Sequence, residues 1–181
     1  FIKCISKTIT DRYGGGAFWT NAKFMTLDTC TFESCEAFSQ GGAVFHRIDK
    51  SYNDIYKTGS ESTLTNCKFT NCIANAAGGM ETDAAIVNLT GCRFESCSAR
   101  ERNGGGFNVF SMEERDPTTP GEVTVDRCYF GNCEADTSGG ATNGSGGGFR
   151  STATHTVVKN STFYNCKGLN GGGIAISSTN A

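Results

Sequence analysis

Apolar and polar residues alternate over short runs that recur along the chain. Residues 62–69, 86–94 and 123–130 each alternate small or apolar residues with polar ones and end in Cys, one residue and Phe. A period of two predicts β-strands whose alternate side chains enter a core. Leu64, Cys67 and Phe69 cannot share one face of a regular strand, so the pattern also predicts a bend near Asn66.

Two phrases repeat in register with these runs. A Phe is followed three residues later by a Cys, and a glycine pair with an apolar residue comes soon after. The glycine pairs are 15–16, 41–42, 78–79, 105–106, 139–140 with a second candidate at 147–148, and 172–173. The shortest unit, residues 69–93, has the size of one coil of a parallel β-helix, and it shows no helical period of 3.6.

The sequence therefore predicts an all-β solenoid, a single domain over residues 1–181 with about six coils and three short strands in each coil. Stacked coils lie about 4.8 Å apart, so equivalent residues form columns inside the core. The expected Phe column begins at Phe1 and continues through Phe32, Phe69, Phe94, Phe130 and Phe163. The two expected Cys columns are Cys4, Cys35, Cys72, Cys97, Cys133 and Cys166, and Cys30, Cys67, Cys92 and Cys128.

The cysteines allow three interpretations. Free Cys packs as a small hydrophobe in a narrow core. Stacked residues also lie within the Cα range of a disulfide, and pairing along the columns uses all ten cysteines. Zinc binding is the weakest interpretation, because stacked columns do not form a tetrahedron.

Composition limits the function. Charged residues make up 19% of the chain and the net charge is −2, so nucleic-acid binding is not expected. No apolar run approaches the roughly 18 residues of a membrane span, so direct membrane insertion is not expected either. Ten cysteines and the sequons at Asn88, Asn143 and Asn160 favour a secreted glycoprotein.

Three insertions interrupt the repeat, at 46–60, 108–121 and 142–148, and are expected to project from one edge of the solenoid. The first two are rich in aromatic and charged residues, which are suited to binding a partner. The predicted contact residues are Arg47, Tyr52, Tyr56, Phe110, Met112 and Arg115.

The repeated phrases resemble those of the chlamydial polymorphic outer membrane proteins, F-x-x-N and G-G-A-[I/L/V]. Residues 32–35 (Phe-Glu-Ser-Cys) with 41–44 (Gly-Gly-Ala-Val) form the most similar coil. Cys stands where that family has Asn in every coil, which favours a secreted eukaryotic relative, as in protist surface proteins. The resemblance implies a right-handed parallel β-helix, the fold of pectin lyases, exposed at a cell surface and serving in adhesion or as a spacer.

We therefore expect a non-enzymatic, extracellular structural or adhesive module, a fragment of a longer chain without a cofactor or metal. Its expected partners are flanking repeats or subunits stacked on its open ends, as in a filament, and glycans or a host cell surface. The alternative is a β-helix that binds or cleaves polysaccharides. Cleavage requires clustered carboxylates, whereas Glu33 and Glu95 are expected in one column two coils apart, a separation of roughly 10 Å.

Overall fold

The computed structural model describes residues 1–7, 14–48, 59–110, 121–136 and 144–177. These residues form 21 strands in four sheets, in which every strand pair is parallel. Strands are the regular elements of the described part, which contains no helix long and apolar enough to cross a membrane.

The strands of each sheet come from successive coils. Sheet 1 contains β3 (Phe24–Asp28), β7 (Glu61–Thr65), β11 (Ile86–Thr90), β15 (Glu122–Asp126) and β19 (His155–Lys159). Sheet 2 contains β4 (Thr31–Glu33), β8 (Lys68–Thr70), β12 (Arg93–Glu95), β16 (Tyr129–Gly131) and β20 (Thr162–Tyr164). Sheet 3 contains β1 (Ile5–Ser6), β5 (Glu36–Ala37), β9 (Ile73–Ala74), β13 (Ser98–Ala99) and β17 (Glu134–Ala135). Sheet 4 contains β2 (Phe18–Thr20), β6 (Val44–His46), β10 (Met80–Thr82), β14 (Phe107–Val109), β18 (Phe149–Ser151) and β21 (Ile174–Ile176).

The chain visits sheets 1, 2, 3 and 4 in turn and then returns to sheet 1 in the next coil, which makes a parallel β-helix. Neighbouring coils pair without a register shift, as in Leu27, Leu64, Leu89 and Val125 of sheet 1. The predicted fold class is confirmed. Each of the four coils from β3 to β18 has four strands rather than the three expected from the sequence.

The bend predicted near Asn66 is confirmed, and it is the corner between sheets 1 and 2. Asn66 has a φ of 52°, in the left-handed region that Asn tolerates better than most residues. A second corner of the same kind, Asn71 with a φ of 53°, separates sheets 2 and 3. Both corners recur in the other coils, so one run of alternating residues supplies strands to two sheets.

The Phe column is confirmed as a stack of parallel rings. Successive ring centroids from Phe1 to Phe163 lie 5.0, 4.8, 4.6, 4.9 and 4.8 Å apart. Phe32, Phe69, Phe94 and Phe130 have no exposed surface. Because aromatic side chains bury a large apolar area, this column forms the centre of the core.

Both Cys columns are confirmed as well. Main-chain nitrogens of Lys68 and Arg93 donate to the carbonyl oxygens of Cys30 and Cys67 one coil below, both at 2.8 Å. All ten cysteines lie in the described residues and are free thiols. In-register stacking keeps Cβ atoms about 4.8 Å apart, whereas a disulfide needs roughly 3.5–4.5 Å, so the columns suit thiols that fill the core.

The insertions begin or end elsewhere than predicted. Each strand of sheet 4 has three residues in register, so His46 belongs to β6 and Asn108 to β14 rather than to the insertions. Both side chains are buried. The pair 147–148 takes the glycine position of its coil, since Phe149 pairs with Phe107. The insertion at 142–148 therefore leads into β18 instead of following a strand of sheet 4, and residues 139–143 lie outside the described residues.

Candidate functional site

The outer face of sheet 4 carries one column of side chains, from the middle residue of each three-residue strand. Residues on either side, such as Met80 and Phe107, belong to the core, and side chains alternate along a strand. The pairing aligns the outer column as Trp19, Phe45, Glu81, Asn108, Arg150 and Ala175. The polar members of this column are consecutive, at Glu81, Asn108 and Arg150.

A pocket of about 110 Å³ opens over this polar stretch. It is lined by Gln40, Ala76, Glu81, Arg102, Asn103, Asn108 and Phe110. Glu81 is 6% exposed and Asn108 is 4% exposed, although both side chains leave the outer face of the sheet. Arg102 is exposed at the mouth, and Phe110 is half-buried.

Three buried oxygens of this pocket accept no hydrogen bond from the described residues. They are Gln40 Oε1, Glu81 Oε2 and Asn108 Oδ1. A buried acceptor without a donor loses its hydration and gains nothing in exchange. This arrangement is unfavourable in the protein alone, and it favours a ligand that donates hydrogen bonds.

Burial raises the pKa of Glu81 to about 7. A hydrogen bond from Asn108 opposes this effect, and the negative charge of Asp83 adds to it. Arg102 and Arg150 lower the pKa by smaller amounts. Glu81 therefore changes its charge near neutral pH, which is a frequent property of functional carboxylates.

The pocket is not a metal centre of the usual kind. Within the described residues, no three His, Cys, Asp or Glu side chains group together so as to hold a metal ion. Acid–base cleavage of a glycoside needs a second carboxylate opposite the first. The neighbouring Asp83 instead accepts a 2.6 Å hydrogen bond from the main-chain nitrogen of Ile48.

His46 belongs to a separate, fully buried network inside the helix. Its Nε2 lies 2.7 Å from the carbonyl oxygen of Ala22, and its Nδ1 lies 2.6 Å from Ser62 Oγ. Because a carbonyl only accepts, Nε2 carries the proton and Nδ1 accepts from Ser62. Burial lowers the pKa of His46, so the neutral ring connects adjacent coils and has a structural role.

The predicted contact residues are only partly described. Arg47 is half-buried, and Phe110 lines the pocket. The predictions for Tyr52, Tyr56, Met112 and Arg115 fall outside the described residues.

Two of the three sequons lie on the described surface. Asn160 is exposed at a corner with a φ of 51°, and its Nδ2 donates to Asp126 Oδ1 at 2.9 Å. Asn88 lies in the middle of β11, half-buried, and its Nδ2 donates to Glu61 Oε1 at 3.2 Å. Asn143 lies outside the described residues.

The carboxylates considered from sequence do not form a cluster. Glu33 and Glu95 share a column of sheet 2 two coils apart, as expected. Glu95 pairs with Arg93 at 2.9 Å, and Glu36 pairs with Arg100 at 2.8 Å. These are surface ion pairs, which contribute little to stability.

The sequence pattern did not predict a pocket at Glu81 and Asn108, because the repeat is defined by the apolar residue after each glycine pair. The signal was the next residue in each repeat. Once the glycine pairs are aligned, that position alternates out of the core, and it is Glu81, Asn108 and Arg150 in three consecutive coils.

A sequence model described as a right handed beta helix region matches residues 8–181. No curated protein and no solved structure matches the sequence.

Proposed function

Because the chain belongs to the right-handed β-helix family, we propose that it is a rigid, non-enzymatic structural or adhesive module of an extracellular or cell-surface protein. The observation that carries this proposal is the uninterrupted stack of the core. Each coil packs only on its neighbours, and the Phe rings repeat at 4.6–5.0 Å from coil to coil. Such a solenoid keeps its surface columns at fixed spacing, which suits a spacer or a multivalent binding surface.

The proposed partners are other subunits or flanking repeats stacked on the terminal coils. The terminal strands β3 and β19 pair on one side only within the described part of sheet 1. Apolar side chains are exposed at these coils, including Phe24 at 63% and Ile176 at 52%. Unpaired strand edges with apolar side chains favour association with further strands.

Sedimentation velocity over a range of concentrations tests this association. We expect linear oligomers that grow with concentration, and a loss of association in Phe24→Lys, which places a charge on the edge strand β3. Thr124→Lys, on the outer face of β15 between two partner strands, is the matched control. Equal association of the two variants would show that the coil ends are not the interface.

Secretion is part of the same proposal. The sequons at Asn88 and Asn160 support it, because both side chains leave the outer surface of the helix. Intact-mass and peptide mass spectrometry of the native protein tests it. Glycans at either Asn place the chain in the secretory pathway of a eukaryote, whereas unmodified Asn88 and Asn160 in native material count against it.

A second candidate function is the cleavage of a carbohydrate, with Glu81 as its general acid. A carboxylate with a pKa near 7, beside an amide and an aromatic ring, is suited to protonating a leaving group. Incubation with neutral and acidic polysaccharides, with assays for reducing ends and for unsaturated products, separates the two functions. Binding without products supports the module, and product formation that Glu81→Gln abolishes establishes an enzyme.

A further inference from the structure

The pocket on sheet 4 contains a surplus of acceptors. Gln40 Oε1, Glu81 Oε2 and Asn108 Oδ1 are buried and accept no hydrogen bond from the described residues. Glu81 and Asn108 are each more than nine-tenths buried, and all three residues line the same cavity. A ligand that brings several donors satisfies these oxygens together.

A primary ammonium group matches the pocket in number and in charge. It has three N–H donors and no acceptor, so each proton can meet one of the three oxygens. Its positive charge compensates the buried carboxylate of Glu81, and hydrogen bonds between charged groups are the strong ones. We propose that this pocket binds a primary alkylammonium group, of the kind that a lysine side chain carries.

Two other ligand types fit less well. A sugar hydroxyl brings a single donor, which can reach only one of the three unpaired oxygens. A calcium ion takes six to eight oxygen ligands, and the described residues around the pocket supply one carboxylate and three amides, which is too few side-chain oxygens. The acceptor surplus therefore selects an ammonium group over both.

The size and the walls of the pocket fit an alkyl chain with a charged end. The cavity of about 110 Å³ is smaller than the roughly 300–1,000 Å³ of a pocket for a drug-sized ligand, so it admits a single group. Ala76 and Phe110 supply an apolar wall for the methylene stem.

The charged residues near Glu81 are expected to change the affinity of the pocket for an ammonium group. Arg102 stands at the mouth and repels a cation, whereas Asp83 attracts it, and Arg150 adds a smaller repulsion. We therefore expect Arg102→Gln to bind the ammonium group more tightly than the wild type. Binding requires the ionised carboxylate, so we expect it to weaken as pH falls below 7.

Isothermal titration calorimetry at pH 8 with Nα-acetyl-lysine amide and with n-butylamine tests the proposal. We expect both to bind, since both carry the primary ammonium. Nε-trimethylation keeps the charge and removes the donors, and Nε-acetylation removes the charge. Each change is expected to weaken binding at least about tenfold. A preference for the lysine derivative over n-butylamine indicates a peptide ligand, and equal affinity indicates that a free amine is sufficient.

Glu81→Gln is the matched variant, with Glu134→Gln on the exposed surface of β17 as control. The first is expected to lose binding at least about tenfold, and the second is expected to bind as the wild type does. Equal affinity for the trimethylated probe, or tighter binding of glucose than of the amines, would overturn the proposal. Because the probes are small and need no second subunit, such a result leaves the scaffold function standing.

Discussion

Replacing Glu81 with Gln is expected to stabilise the folded protein, but only at pH values above the ordinary carboxyl pKa of 4.5. The carboxylate is buried over the outer face of sheet 4 and its pKa is raised from 4.5 to about 7. Between these values the folded protein holds a proton on Glu81 that the unfolded chain has released. The free energy of unfolding therefore falls as pH rises from 4.5 to 7, and the loss is complete above 7.

The size of the loss in unfolding free energy follows from the rise in the pKa of Glu81. A rise of about 2.5 pKa units corresponds to about 3 kcal/mol, since one unit is worth about 1.4 kcal/mol. Gln is neutral at every pH, has almost the same shape and brings an amide donor to Gln40 and Asn108. We expect Glu81→Gln to raise the free energy of unfolding by about 3 kcal/mol at pH 8 and to change it little at pH 4.

Urea unfolding of the wild type, Glu81→Gln and Glu134→Gln at pH 4 and pH 8 measures this difference. The exposed Glu134 is the control and is expected to change stability by less than about 0.5 kcal/mol at either pH. An equal effect of Glu81→Gln at both pH values would refute the reasoning, because a desolvated carboxylate must lose its penalty once it is protonated.

Three further predictions concern the core. Phe94→Ala is expected to lower the free energy of unfolding in urea by about 3–5 kcal/mol, because the ring lies between neighbouring rings at 4.6 and 4.9 Å. Phe163 is partly exposed in the last described coil, so Phe163→Ala is expected to cost less. Gly78→Ala is expected to abolish cooperative unfolding or shift its midpoint strongly, since a Cβ there would collide with the main-chain nitrogen of Ser98 and the carbonyl oxygen of Gly105; Gly79→Ala is expected to cost less, because the preceding coil has Ala43 at that position. Titration with a thiol reagent is expected to find ten thiols in denaturant and slow reaction in the native state, since seven of the ten cysteines are buried and out of reach of the reagent. Fewer than ten thiols in denaturant would contradict the packing of thiols in the columns.

The repeated residues were sufficient to predict the fold, because their columns are set by a fixed strand spacing. Leu64, Cys67 and Phe69 even predicted the corner at Asn66, from the failure of one period to place all three inside. The first insertion was predicted to begin at His46, whereas His46 is the last residue of β6. In fact His46 is satisfied by Ser62 and Ala22 inside the helix.

The pocket could not be predicted in the same way. Its acceptors come from Gln40, Glu81 and Asn108, which lie in three different coils and in different parts of the repeat. Whether such side chains are solvated or buried depends on what covers the outer face of sheet 4, and no local pattern encodes that. A raised pKa at Glu81 follows from this burial, so it is visible only in three dimensions.

Neighbouring coils approach closely at the column of glycines that contains Gly78 and Gly105, and this has a consequence for how such a chain evolves. The space that a side chain would take at Gly78 or Gly105 is occupied by a carbonyl oxygen of the next coil. Glycine is therefore required by the contact between two coils, and an inserted coil needs glycine at the same position in order to contact the next coil. Duplication or deletion of a whole coil leaves every remaining junction intact, whereas a shift of a few residues breaks one. Lineages of this protein are therefore expected to differ in the number of coils and in the length of the insertions, while the residues at the glycine column stay fixed.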